Sequence, residues 1–450
     1  MITKKRFLKV KCMRVKLILI CLCFSMLMRP GIPVSAEADV ITYYEIGSGE
    51  QIYNFSDLLI KYRSNSVTYK RSVLDYKIQA LSGEISKENY IDIQSQYLLI
   101  KKQIEQLEQV KKELLEYKKE LQSRQGSTVS GSAISMNLGI PDNYEEIIKE
   151  IDDQIVNIDL QLQQYYSNLS SLGYSLSDAQ ISKNISYFYT KYQNLLTDES
   201  KRKLENDFLK KCYELMIYQE KLDYYKTYHE YLALIKEINS IRHKYGLVTQ
   251  VELNKDDVNL LNNNKFIAEN ENLYKTTLNF IKKNTGITDD DIRIRLPINV
   301  SKKNYKYEEI VNSFINNYSG YYQIQNYIES YKEYYNTGYI SSGTAYRQVE
   351  MKVDYYKLQK DELVENIYTY VNNAIHSYEQ AYKSREAALK ELQIKEKRYD
   401  TLTSKFKYKR ASRIEVLESL VELKAAKVAY YQSCYDVIMW QDILDNYIVS

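Results

Sequence analysis

A short segment of this chain occurs twice, 163 residues apart. The first copy reads Lys244-Tyr245-Gly246-Leu247-Val248-Thr249-Gln250-Val251-Glu252-Leu253, and the second Lys407-Tyr408-Lys409-Arg410-Ala411-Ser412-Arg413-Ile414-Glu415-Val416. In each, a long helical pattern stops at a short turn, a Thr or Ser follows, and an apolar-acidic-apolar trio opens another helix. Strict identities are few: Tyr245/Tyr408, Glu252/Glu415, Val258/Val421 and Leu260/Leu423. The residue classes match along the whole stretch. A duplicated helix-turn-helix restricts the chain to folds in which two similar halves each bend a long helix back on itself.

Between these turns the chain favours helices. After residue 36 only Pro141 and Pro297 remain, and long tracts of Lys, Glu, Leu, Gln and Tyr carry few breakers. Helical patterns are predicted over 55–78, with a stop at 82–86, and then to about 123. Residues 125–143 are the least helical stretch, with one short strand possible over 127–140. A helix over 144–166 leads to a serine-rich break at 167–177, and a long pattern then runs to Lys244. The segment before Tyr53 reads as extended or irregular. Residues 287–300 read as a turn followed by a short extended connector, since Ile292-Arg293-Ile294-Arg295-Leu296 alternates. Asp289-Asp290-Asp291 lacks the ligand spacing of a calcium loop and reads as solvated linker.

The second half repeats the plan: a helix from Tyr307, a stop at 336–341 and a long helix over 345–406. In that helix Ile367, Ala374, Ala381, Ala388 and Leu402 share one seven-residue register. Val371, Tyr378, Leu392, Tyr399 and Phe406 share a second. Alternating steps of three and four are the pattern of a coiled coil, here interrupted by Arg385 and Lys395. The fold class expected is therefore all-α: long antiparallel coiled-coil hairpins in two structural repeats, 37–290 and 291–450, with little or no β. An inserted segment near 123–177 has no counterpart in the second repeat.

Residues 1–36 read as a secretory signal peptide: a basic start, an apolar run over 17–28, and a small-residue site at Val34-Ser35-Ala36. Cleavage after Ala36 is expected rather than lipid attachment at Cys21, because Ile20 precedes that cysteine. Of the five cysteines, Cys212 and Cys434 remain, too few to staple a chain of this size; a bridge between them is left open. The balance of 62 basic and 59 acidic residues, interleaved along helices, argues against a nucleic-acid partner. The 47 Tyr suit half-wet helix seams, or alternatively a sugar-binding surface. His229, His243 and His376 stand without a clustered metal or catalytic partner, so no enzyme activity, cofactor or metal is expected.

The two turn motifs, with Val251-Glu252-Leu253 and Ile414-Glu415-Val416-Leu417 after them, resemble those of the TolC family of outer-membrane efflux proteins. Ser56-Asp57-Leu58-Leu59 and Tyr307-Glu308-Glu309-Ile310 resemble the helices opening each family repeat. The resemblance covers most of the mature chain, and order and duplication carry it more than any single motif. It implies a TolC-like helical-barrel protomer, three of which build a tunnel whose turns meet a membrane-fusion (adaptor) protein joined to an ABC-type or other inner transporter. Gly246, Leu247, Val248 and Thr249, with Lys409, Arg410, Ala411 and Ser412, are then the adaptor-docking tips. Two departures stand out. Lys409 occupies the place of a glycine, which puts the shape of the second turn in doubt. The strand pairs that cross an outer membrane have no room at 82–87 or 336–344, since one such strand needs about 9 to 11 residues. The expectation is an exported envelope or surface protein of a bacterium without an outer membrane. The alternative is a cell-surface coiled-coil structural or binding protein with no channel activity.

Overall fold

The structure, a computed structural model, describes residues 42–126, 143–289, 292–299, 301–336 and 343–448. The expected signal peptide and the expected short strand at 127–140 lie outside the described residues. All described elements belong to one compact unit, Thr42–Ser450. Two short strands, β1 (Tyr43–Ile46) and β2 (Gln51–Asn54), precede α1 (Phe55–Asn65), α2 (Val67–Gly126), α3 (Tyr144–Lys191), α4 (Gln193–Lys244) and α5 (Gln250–Thr285). Strand β3 (Ile292–Pro297) leads into the second half: α6 (Tyr307–Asn317), α7 (Ser319–Asn336), α8 (Gly343–Lys407) and α9 (Arg413–Asn446). The chain is an all-α assembly of long antiparallel hairpins with one small sheet. Among the described residues no helix is long and apolar enough to cross a membrane.

The extended connector of the sequence is β3, which lies between β1, antiparallel to it, and β2, parallel to it. Its alternation puts Ile292, Ile294 and Leu296 into the core, while Arg295 and Arg293 reach the Glu45 carboxylate on the other face. Against that sheet pack Leu58 of α1, Phe208, Cys212, Tyr213 and Met216 of α4, and Ile281 of α5. A second core joins Val311 and Phe314 of α6 to Val371 and Tyr378 of α8 and Val437 and Leu444 of α9. Each half thus seats an 11-residue helix, α1 or α6, on its own core. Each of these then bends at one residue, Ser66 or Tyr318, into the next helix.

Several breaks expected from the sequence are not breaks. Residues 82–86 lie inside α2, a single helix of 60 residues, about 90 Å long. Gly83 is there for close approach: a Cβ at that position would sit 2.7 Å from the Ser186 carbonyl oxygen. Ser86 donates to Ser186 at 3.2 Å, and Thr190 donates to the Ala80 carbonyl at 2.9 Å. The serine-rich stretch 167–177 is also helical throughout. The hydroxyls of Ser175 and Ser177 bond back to the carbonyls of Ser171 and Gly173, so they need no exit from the helix. Conversely, the pattern running to Lys244 does break, at Tyr192, whose ring stacks on Tyr322 of α7 with centroids 4.9 Å apart.

The coiled-coil seam of α8 packs on α9 as its registers predict over most of its length. Ile367, Val371, Ala374, Tyr378, Ala381 and Leu392 are buried, and Leu392 meets Leu423 and Ala426. Phe406 departs from the register reading, exposed where the seam gives way to the turn. Arg385, an apparent interruption, is only 8% exposed; its guanidinium lies over the Tyr382 ring and reaches Asn299. Lys395 stays in the seam by pairing with Glu391 and Glu422.

Cross-helix pairs fix how the rods lie. Asn206–Asp442 and Asp223–Lys424 make α4 and α9 antiparallel. Thr190–Ala80, Asp159–Lys111 and Asp152–Lys118 do the same for α2 and α3. Glu333 of α7 accepts from Gln180 and Asn184 of α3, so α7 ends level with about residue 177. The α2/α3 hairpin therefore runs on beyond α7/α8 by about 30 residues of α3, roughly 50 Å.

Candidate functional site

Both recurring turns close a helical rod in the same way, bond for bond. At the first, the Gly246 amide donates to the His243 carbonyl at 2.9 Å and the Leu247 amide to the Arg242 carbonyl at 3.0 Å. At the second, the Lys409 amide donates to the Phe406 carbonyl at 2.9 Å and the Arg410 amide to the Lys405 carbonyl at 2.8 Å. These paired bonds satisfy the last carbonyls of α4 and α8 and need a left-handed residue at the turn. Gly246 takes φ 71° and Lys409 takes φ 58°. The second turn thus has the shape of the first, although a lysine in that conformation costs roughly 1–2 kcal/mol that glycine does not.

The following helices start alike. The Glu252 amide donates to Thr249 Oγ1 at 3.3 Å, and the Glu252 carboxylate accepts the Thr249 amide at 2.8 Å. The Glu415 amide donates to Ser412 Oγ at 3.3 Å, and the Glu415 carboxylate accepts the Ser412 amide at 2.6 Å. Each is a reciprocal capping box, satisfying donors that a helix start leaves open. The backbone amides of Thr249 and Ser412 hold the two carboxyls below the ordinary carboxylate value. At the first tip His243 Nδ1 also lies 2.8 Å from the Val248 carbonyl, tying the turn to the helix it ends.

Of the residues singled out from the sequence, Gly246 and Lys409 set the turns, and Thr249 and Ser412 cap the next helices. Leu247 and Arg410 stand out to solvent, while Val248 and Ala411 are half-buried. The turns lie at the same end of the molecule, because α4 and α9, running in opposite directions, bring the end of one to the start of the other. Two features escaped the sequence reading. Glu252 and Glu415 act as capping partners, a role that Thr-x-x-Glu and Ser-x-x-Glu spell out. Tyr245 and Tyr408 are each 77% exposed, beside Leu247 at 74% and Val251 at 75%. That is an unusual amount of apolar surface on a turn, and local sequence gave no sign of where it would point.

Among the described residues no group of three or more His, Cys, Asp or Glu side chains is placed to hold a metal ion. Cys212 and Cys434 are both buried free thiols, which burial raises above the ordinary value, the latter to about 11.

No protein-family model and no curated protein matches the chain. Among solved structures it is similar to outer membrane channels. One is CmeC of Campylobacter jejuni, at 13% identity over 60% of this chain and 67% of that one, with a TM-score of 0.41. Another is MtrE of Neisseria gonorrhoeae in its open state, at 12% identity over 60% and 70%, with a TM-score of 0.39. CusC is similar over 94% of this chain and 98% of that one, at 8% identity and a TM-score of 0.43.

Proposed function

We propose that this chain is a TolC-like exported helical protein, a non-catalytic extracytoplasmic component of an efflux or secretion system. It docks through its two tips to an adaptor protein that joins it to a transporter. One observation carries this reading: two turns with the same hydrogen bonds and the same capping boxes, at one end of the rods, both presenting exposed apolar side chains. A turn that only reversed the chain would need the bonds but not the exposed Tyr245, Leu247, Val251 and Tyr408.

The same reading places no membrane barrel in this chain. In the second half the connection between α7 and α8, residues 337–342, is shorter than one membrane-crossing strand of about 9 to 11 residues, and residues 82–87, expected from the sequence to be the matching connection, lie inside α2. An envelope without an outer membrane suits such a protein. The outward stripes Leu74, Ile78, Leu81 and Ile85 on α2, and Met351, Tyr355 and Leu358 on α8, repeat in steps of three and four and are exposed. They support lateral assembly of several copies, three by the family resemblance.

The test is site-specific photo-crosslinking in the cells that make the protein. A crosslinking residue at Leu247 is expected to yield an adduct with an adaptor-type protein, and one at Leu160 on the far hairpin is not. Adducts at Leu160 alone would favour the second reading, a surface coiled-coil protein that binds through the extended α2/α3 hairpin.

A further inference from the structure

The tips carry an unbalanced charge. From Lys405 to Arg413 the second tip holds Lys405, Lys407, Lys409, Arg410 and Arg413, all exposed, with no acid before Glu415. The first holds exposed Arg242 and Lys244. The nearest following acid at each tip, Glu252 or Glu415, already accepts its own cap's amide and hydroxyl. Among the described residues no ion pair engages Arg242, Lys244, Lys407, Lys409, Arg410 or Arg413, whereas farther along the rods Lys236 pairs with Asp257 and Arg398 with Glu422.

Part of this charge has a local cause. Bases in the last turn of a helix are favoured by the partial negative charge at its carboxyl end, which accounts for Arg242, Lys244, Lys405 and Lys407. It does not account for the other three. Arg413 opens α9, where the helix end favours acids. Lys409 holds a left-handed conformation that glycine adopts without strain, as Gly246 does in the first turn. Arg410 lies in the turn itself. Lys409 and Arg413 work against the local stability of the tip, and opposite charge brought by another molecule would offset that cost.

We infer that the tips bind an acidic protein segment, its Asp and Glu meeting Lys409, Arg410 and Arg413 while its apolar residues cover Tyr245, Leu247, Val251 and Tyr408. This rests on the docking role proposed above and adds the partner's charge. Large aromatic and aliphatic studs rimmed by Arg and Lys have the make-up of a protein-binding patch. The pairs Asn206–Asp442 and Asp223–Lys424 set the start of α9 level with about residue 235 of α4. The first tip therefore stands about nine residues, roughly 13 Å, beyond the second. A flat surface perpendicular to the rods would reach the first tip alone, whereas a protein shaped to the step can meet both.

The test uses the full mature chain in its own cells, with the crosslinking residue at Leu247 and, separately, at Tyr408. The adduct peptides are identified by mass spectrometry. Peptides richer in Asp and Glu than in Lys and Arg are expected. Arg410→Glu with Arg413→Glu is expected to cut adduct yield at Leu247 about tenfold or more, and Arg410→Gln with Arg413→Gln to cut it less. Raising salt from about 0.05 M to about 0.5 M in isolated envelopes is expected to lower the wild-type yield. Helicity by circular dichroism shows that each variant is folded, and the Gln pair is the measurement of record if the Glu pair is not. Protein adducts with neutral or basic peptides, or yields indifferent to charge, overturn the inference while leaving docking intact. Adducts with lipid alone, or none at either position, overturn both.

Discussion

Gly246 and Lys409 occupy one place in two matching turns at different conformational cost. A Cβ added at Gly246 meets nothing within 4 Å, so Gly246→Ala tests the backbone alone. It is expected to destabilise the first tip by roughly 1 kcal/mol, and Lys409→Gly to stabilise the second by a similar amount. Native-state hydrogen exchange of the last-turn amides of α4 and α8 reads both. The caps add a pH dependence. Because the folded carboxyls of Glu252 and Glu415 lie below their ordinary value of 4.5, their contribution is complete above that value and is lost as pH falls through the folded one. Protection of the first-turn amides of α5 and α9, corrected for intrinsic exchange, is expected to fall in acid. Glu252→Gln and Glu415→Gln are expected to flatten that response. These caps were legible in the sequence as Thr-x-x-Glu and Ser-x-x-Glu. The exposure of Tyr245 and Tyr408 was not, because it depends on which rods lie beside the turn.

At the scale of elements, the α2/α3 hairpin shows how charge can set register. Lys111 and Lys118 lie seven residues apart and meet Asp159 and Asp152, also seven apart, across an antiparallel seam. Lys118→Asp is expected to destabilise the hairpin by about 1 kcal/mol, and Lys118→Asp with Asp152→Lys to recover most of it, since partly exposed pairs of this kind contribute little more. Thermal melts followed by circular dichroism give the cycle. The α8 registers were readable because a coiled coil writes its contacts at fixed spacing. The continuity of α2 was not readable. Gly83 and Ser86 carry the composition of a break and serve instead as the thin point where α3 comes close.

For the whole molecule, the exposed stripes on α2 and α8 are the surfaces on which the proposed lateral assembly rests. The chain lacking residues 1–36 is expected to sediment as an oligomer. Leu81→Glu with Leu358→Glu is expected to shift it to monomer without loss of helicity, because both side chains face solvent in the single chain. A strict monomer at high concentration in the unaltered protein would count heavily against a tube.

Local rules by themselves determined the helices, their capped ends, the doubling of the plan and the alternating connector. Helix propensity, capping and period-two patterning act within a few residues, so one chain suffices to read them. Tertiary structure alone decided which glycines and serines end a helix and which let two helices touch. It also decided that the connector becomes the middle strand of a sheet joining both halves, and that the two tips share one end. Those outcomes depend on partners more than a hundred residues away, such as Gly83 with Ser186 or Asn206 with Asp442, and sequence spacing carries no record of them.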